Sequence, residues 1–319
     1  MENVSVVTTF VLTAYTEMED LRYVYFTVFL MLYLLILFVN LVLIVVIYIE
    51  RGLHEPMYFF MFNLAVNGIY GSTSLMPSLL KNVLSHTYEI SLSCCLLQIF
   101  CLHTYGVVEF TILAVMGYDR YIAICYPLHY QLIVSPRKVY ALIAFSWVYP
   151  CLCFGLYFIM TVQRTFCDRF IEKVYCINFA LVKLSCLDTS VQSLVGLITI
   201  IFMPGPSILM ILFSYAQILR ICLHASKECK VKAIQTCTPH LLAVINYSIG
   251  CLFEVIQSRF NMAHVPYKAR LFMSLYFLIF PPVLNSAIYG MSIQAVRVPI
   301  FKLFSGKKNR VAQLKVLMN

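Results

Sequence analysis

The sequence predicts an all-α membrane protein: a seven-transmembrane helix bundle with a short amphipathic helix after the seventh span. Three observations carry this. Hydrophobic residues make up 61% of the 319 and charged residues 12%, whereas soluble domains are about a quarter charged. Apolar runs recur along the whole chain, each long enough to cross a hydrocarbon core, which takes about 20 residues. The charges between the runs are sorted by side.

The first run, 24–49, carries no charge. It is too long for a signal-peptide core and follows a polar lead, so it reads as a retained span. Asn3-Val4-Ser5 in that lead is a glycosylation sequon, pertinent if the N-terminus is outside. Further runs cover 57–84, 92–118, 139–162, 191–219, 234–256 and 271–292. Spans two and seven are the least apolar. Breakers and charges separate the runs, as in Arg51-Gly52-Leu53-His54-Glu55-Pro56, Ser135-Pro136-Arg137-Lys138 and Lys227-Glu228-Cys229-Lys230. After span seven, Val296-Arg297-Val298-Pro299-Ile300-Phe301-Lys302-Leu303-Phe304 mixes basic and apolar residues, the pattern of a helix lying on an anionic leaflet. Lys307-Lys308-Asn309-Arg310 would add surface attraction, or act as an ordinary stop-transfer cluster. The chain thus divides into an extracellular N-terminus (1–23), the bundle (24–292) and a cytoplasmic amphipathic helix with a basic tail (293–319).

Orientation follows from Lys/Arg asymmetry. With the N-terminus outside, one side holds Arg51, Arg120, Arg137, Lys138, Arg220, Lys227, Lys230, Lys232 and the basic tail, against few acids. The other side is nearly neutral. The positive side is therefore cytoplasmic, and the net charge of +9 is a topology signal. It calls for no nucleic-acid partner. The lipid bilayer is the expected surround, and the plasma membrane the expected location.

Cys94, Cys95, Cys167, Cys176 and Cys186 lie on the outer side, where disulfides persist; sequence alone leaves their pairing open. Cys125, Cys222, Cys229 and Cys237 lie at or near the cytoplasm and should be reduced. Cys151 and Cys153, in mid-membrane without nearby His or acid, read as small apolar filling rather than a metal site. No metal or cofactor is expected.

Span three ends in Met116-Gly117-Tyr118-Asp119-Arg120-Tyr121-Ile122-Ala123-Ile124-Cys125. A charge in hydrocarbon is costly, so Asp119 and Arg120 belong at the cytoplasmic boundary, paired or hydrogen-bonded. Alone, the dipeptide reads as an interfacial anchor. It does not stand alone. Pro56-Met57-Tyr58-Phe59-Phe60-Met61 opens span two, and Ser214-Tyr215 lies in span five. Lys232-Ala233-Ile234-Gln235-Thr236-Cys237-Thr238-Pro239-His240-Leu241 opens span six, and Pro282-Val283-Leu284-Asn285-Ser286-Ala287-Ile288-Tyr289 ends span seven. Over nearly the whole chain these ordered strings resemble the olfactory receptor family of rhodopsin-like G-protein-coupled receptors. Departures are Val39-Asn40 for Gly-Asn, Pro239 for Ser, Ser286 for Pro, and Asn67-Gly68 where an acid is usual. Glu109 keeps one of the two acids that the family associates with sodium, and no sodium site is predicted.

The resemblance implies an activation switch of Asp119, Arg120, Tyr121, Tyr215, Asn285 and Tyr289. Arg120 is held at rest and freed when span six swings outward, opening a cleft for a heterotrimeric G protein, a two-state element biased by ligand. It also implies the bridges Cys95–Cys176 and Cys167–Cys186, although Cys94 could replace Cys95 on spacing. For the ligand, His103 and Arg259 match polar residues at the odorant pocket of the fish-like, class I branch, where the Arg binds carboxylates. A guanidinium suits that task because it stays charged and offers a fork. The alternatives are a snorkelling Arg259 and a packing His103. Gly106, Phe154, Phe179 and Val255 are carried over by position as further pocket residues. Glu254, about a turn before Arg259, could pair with it and blunt its charge.

The implied function is an odorant receptor for a small organic molecule, a carboxylate or other anion among the candidates, acting through a stimulatory olfactory-type G protein. A chemosensory receptor of the same type outside the nose is the nearest alternative. A transporter would show repeat symmetry or broken helices at the midplane, and neither is visible. An enzyme is not expected: there is no Gly-rich phosphate loop, no HExxH and no nucleophile elbow. Aminergic ligands are disfavoured, because Leu102 stands where an acid would be needed.

Overall fold

The computed structural model describes residues 7–260, 262 and 264–304. Asn3 and the cluster Lys307-Lys308-Asn309-Arg310 lie outside them. Seven long helical segments form the bundle: Arg22–Ile49, Pro56–Leu84, Leu92–Cys125, Pro136–Val162, the pair Ser190–Phe202 and Gly205–His224, Lys227–Arg259, and Tyr267–Ser292. Local chemistry sets several ends. Pro56 and Pro136 open spans two and four, where a missing N–H costs nothing. The Ser91 and Ser226 hydroxyls cap spans three and six, accepting from the backbone of Cys94 and Cys229. Span five breaks between its two helices, beside Pro204, which removes a backbone donor there.

Spans three and six run past their apolar segments, to Cys125 and from Lys227. The extra turns carry Asp119 and Arg120 on span three and Lys227, Glu228, Lys230 and Lys232 on span six. Span three is the axis, buried on every side from Val107 to Gly117, whereas spans one, four, five and six keep an apolar face outward. Six of the seven segments are long and apolar enough to cross a membrane by composition. The other, span two, is 29 residues long and turns Asn67, Ser72 and Asn82 into the bundle.

The outer lead is more ordered than its polarity suggests. Strand β1 (Thr9–Leu12) pairs antiparallel with β2 (Glu89–Ser91) and parallel with β3 (Phe170–Ile171), giving the order β2-β1-β3. Phe10 and Leu12 alternate inward on the period of a strand, and with Tyr15 and Met18 they are almost fully buried. Tyr15 donates to the Val174 carbonyl at 2.7 Å, and Tyr267 donates to that of Ala14 at 2.8 Å. The N-terminus and the loop after span four therefore form one cap. Disulfides Cys95–Cys176 and Cys167–Cys186 hold that loop, leaving Cys94 free. At the inner end the amphipathic segment is a helix, Gln294–Phe304, with Val296 buried and Arg297 exposed.

Candidate functional site

A cavity of about 450 Å³ opens beneath the cap, within the usual range for small-molecule sites. Span three contributes Leu102, His103, Gly106, Val107 and Phe110; span six contributes Tyr247, Cys251, Glu254, Val255 and Arg259. Span five and the loop residues Tyr175, Ile177 and Phe179 complete the wall, which is mostly apolar.

The structure brings together five of the six proposed pocket residues. The His103 ring stacks on Phe154 at 4.2 Å between centroids, and His103 makes no hydrogen bond among the described residues. Phe154 is fully buried behind it and does not line the cavity. Gly106 allows close approach: the Tyr247 hydroxyl donates to its carbonyl at 2.7 Å, and a Cβ there would stand 3.2 Å from that oxygen. The Arg259 guanidinium lies 4.4 Å from the Phe179 ring centroid, a cation–π contact. Lys183 stands 4.4 Å from the same ring. Val255 lines the cavity and is 37% exposed.

Arg259 does not pair with Glu254. Among the described residues the one ion pair is Asp119–Arg120. Glu254 accepts instead from the Tyr175 hydroxyl at 2.7 Å. Above it, Lys173 donates to Gln257 at 3.0 Å, and burial holds the Lys173 ammonium pKa below the usual lysine value. The backbone N–H of Cys176 donates to Gln98 at 2.8 Å, seating the loop on span three beside its disulfide.

Below the cavity, Glu109 joins three spans. It accepts from Asn67 and from Asn285, each at 2.7 Å. Asn40 extends the network, donating to the Pro282 carbonyl and accepting from Ser286. Tyr289 is buried nearby.

At the inner rim Arg120 meets Asp119 at 3.2 Å, and Tyr130 donates to the same carboxylate at 2.6 Å. Tyr121 packs edge-on against Tyr126 and Phe213. Tyr215 contacts His240 Nδ1 at 2.7 Å, and His240 Nε2 lies 2.8 Å from the Leu113 carbonyl. A carbonyl only accepts, so Nε2 carries the proton and Nδ1 accepts from Tyr215. From sequence, His240 entered only as part of the span-six string, with no role given, and Tyr130, Tyr175 and Tyr247 were not singled out. His240 had a readable signal, because an ionisable residue inside an apolar span is costly. The tyrosines had none, since the same residue type also fills the lipid-facing surface.

Seven packed spans, a roofed cavity at one end and a bonded acid–base pair at the other define a receptor of the rhodopsin architecture. Squid rhodopsin superposes with a TM-score of 0.71 at 16% identity, over 89% of this chain and 86% of that one, which establishes the fold. The olfactory receptor sequence profile matches residues 29–307. Human olfactory receptor 2AT4 is 34% identical over 88% of this chain and 87% of its own length. Human olfactory receptor 11A1 is 33% identical over 95% of each, and human olfactory receptor 51I1 is 32% identical over 87% and 88%. The chain belongs to the olfactory receptor family. It is a multi-pass plasma-membrane receptor that acts through a G protein, not an enzyme.

Proposed function

We propose that this odorant receptor binds a small organic anion, a carboxylate foremost, in the cavity between spans three, five and six, in the manner of the class I branch. The observation that carries this is Arg259. It lines the cavity, its Nε is buried without a hydrogen-bond partner, and no carboxylate among the described residues pairs with it. A ligand carboxylate would supply the missing charge-assisted bonds. His103, held flat by Phe154, closes the floor, while Phe179 and Val255 shape the walls.

Binding would tilt span six, part Arg120 from Asp119, and repack Tyr121, Tyr215, Asn285 and Tyr289 around a cleft for a stimulatory, olfactory-type G protein. Residues 1–23 would stay outside and 293–319 inside. The test is a cyclic-AMP reporter in cells given matched acids and alcohols. Arg259→Ala should cost acid responses about tenfold or more and leave alcohol responses nearly unchanged. Equal losses on both series would return Arg259 to a snorkelling role.

A further inference from the structure

Glu254 is the one acid on the cavity wall, and half of its carboxylate is unused. Oε2 accepts from Tyr175 at 2.7 Å. Oε1 is buried and has no hydrogen-bond partner. Nearby donors bond elsewhere and leave it open: the Lys173 ammonium donates to Gln257, and the Ser258 hydroxyl to the Val255 carbonyl. An unmatched acceptor in an apolar cavity is destabilising until a donor arrives. Arg259, five residues further along the same helix, is unmatched in the opposite sense. At 1.5 Å per residue the two lie about 7.5 Å apart along the axis, with Arg259 near the mouth and Glu254 deeper.

We propose that the cavity is built for a bifunctional ligand: a short-chain acid bearing a hydroxyl at its far end. The carboxylate sits on Arg259, and the hydroxyl donates to Glu254 Oε1. This rests on the reading of Arg259 given above. A neutral donor fits better than a second ammonium, because Lys173 already stands within electrostatic reach of Glu254. The apolar wall between the two heads takes the methylene chain. A plain acid leaves Oε1 unmatched, and a plain alcohol leaves Arg259 unmatched.

The experiment compares dose–response curves for hexanoic acid, hexanol, hexanoic acid hydroxylated at its terminal carbon, and its terminal-amino counterpart. Butanoic to octanoic homologues set the length. In the unaltered receptor the hydroxy acid should be about tenfold more potent than the plain acid. Glu254→Leu should erase that advantage while keeping the preference of acid over alcohol. Glu254→Gln, which keeps a carbonyl acceptor, should retain part of it. A hydroxy acid no better than the plain acid in the unaltered receptor overturns the proposal without needing a variant. So does an advantage that survives Glu254→Leu, or an amino acid that outperforms the hydroxy acid. If Arg259→Ala lowers acid responses while Glu254 variants change nothing, only this inference falls. If no acid in the series elicits a response, the carboxylate reading falls with it.

Discussion

His240 has both ring nitrogens engaged, one with span five through Tyr215 and one with the backbone of span three at Leu113. A span-six side chain that spends two hydrogen bonds on its neighbours holds the inner half of the bundle closed. Each bond contributes about 1 kcal/mol net, so together they bias the closed arrangement by about 2 kcal/mol, or roughly thirtyfold. His240→Phe should therefore raise ligand-independent cyclic AMP at matched surface expression. Unchanged basal signalling would show that these bonds do not define the resting state. The same weighting explains which residues were legible from sequence. Glu109 stands out because a charge within an apolar run needs a reason, Asp119 and Arg120 because they close one, and Arg259 through its match to the class I branch. That Asn67, Asn285 and Tyr130 are their partners does not stand out. Asn67 and Asn285 become ligands of Glu109 only once three spans meet, and Tyr130 reaches Asp119 from a separate loop helix. Glu254 is the sharpest case. Helical spacing offered Arg259 as its partner, whereas a tyrosine 79 positions away takes it.

Between elements, the distances are set where a side chain is missing. A Cβ on Gly250 would stand 2.9 Å from Phe277 Cα, so spans six and seven meet backbone to backbone there. A Cβ on Gly71 would come 2.4 Å from the Tyr105 ring at the contact of spans two and three. Gly155, by contrast, has nothing within 4 Å. Overpacking of this kind costs about 1–3 kcal/mol. Gly250→Ala should lower the thermal midpoint of the detergent-purified receptor and reduce surface expression, while Gly155→Ala should match the parent. Equal midpoints would mean that spans six and seven tolerate separation. Apolar runs located the seven spans, six of them apolar enough to cross a membrane by composition, and the mixture of basic and apolar residues located the amphipathic helix. Hydropathy could not show which glycines are contact points. Nor could it show how far the helices of spans three and six continue past their apolar runs, to Cys125 and from Lys227. The packing of the lead before span one was not legible for a related reason: Phe10, Leu12, Tyr15 and Met18 are spaced among polar residues and are buried against distant segments.

At the scale of the molecule, the cap roofs the cavity and places Tyr175, Ile177 and Phe179 on its wall. It is assembled from three remote segments: the N-terminal strand, the link between spans two and three, and the long loop after span four. Few backbone pairs hold it, so its order depends on covalent ties. Cys95–Cys176 spans 81 residues and fastens the loop to the top of span three, next to the Cys176–Gln98 bond. Cys167–Cys186 spans 19 residues and closes the loop on itself. Loop-closure entropy assigns about 4.5 kcal/mol to the longer bridge and about 3 kcal/mol to the shorter. Position reinforces the ranking, because only the longer bridge joins the cap to the bundle. Cys95→Ala with Cys176→Ala should thus lower the thermal midpoint more than Cys167→Ala with Cys186→Ala. It should also blunt responses to acids that depend on Tyr175 and Phe179 being held over Arg259 and Glu254. If the order is reversed, the cap is held mainly by its own packing around Phe10, Phe166 and Tyr15, and the bridge to span three serves folding rather than the shape of the pocket.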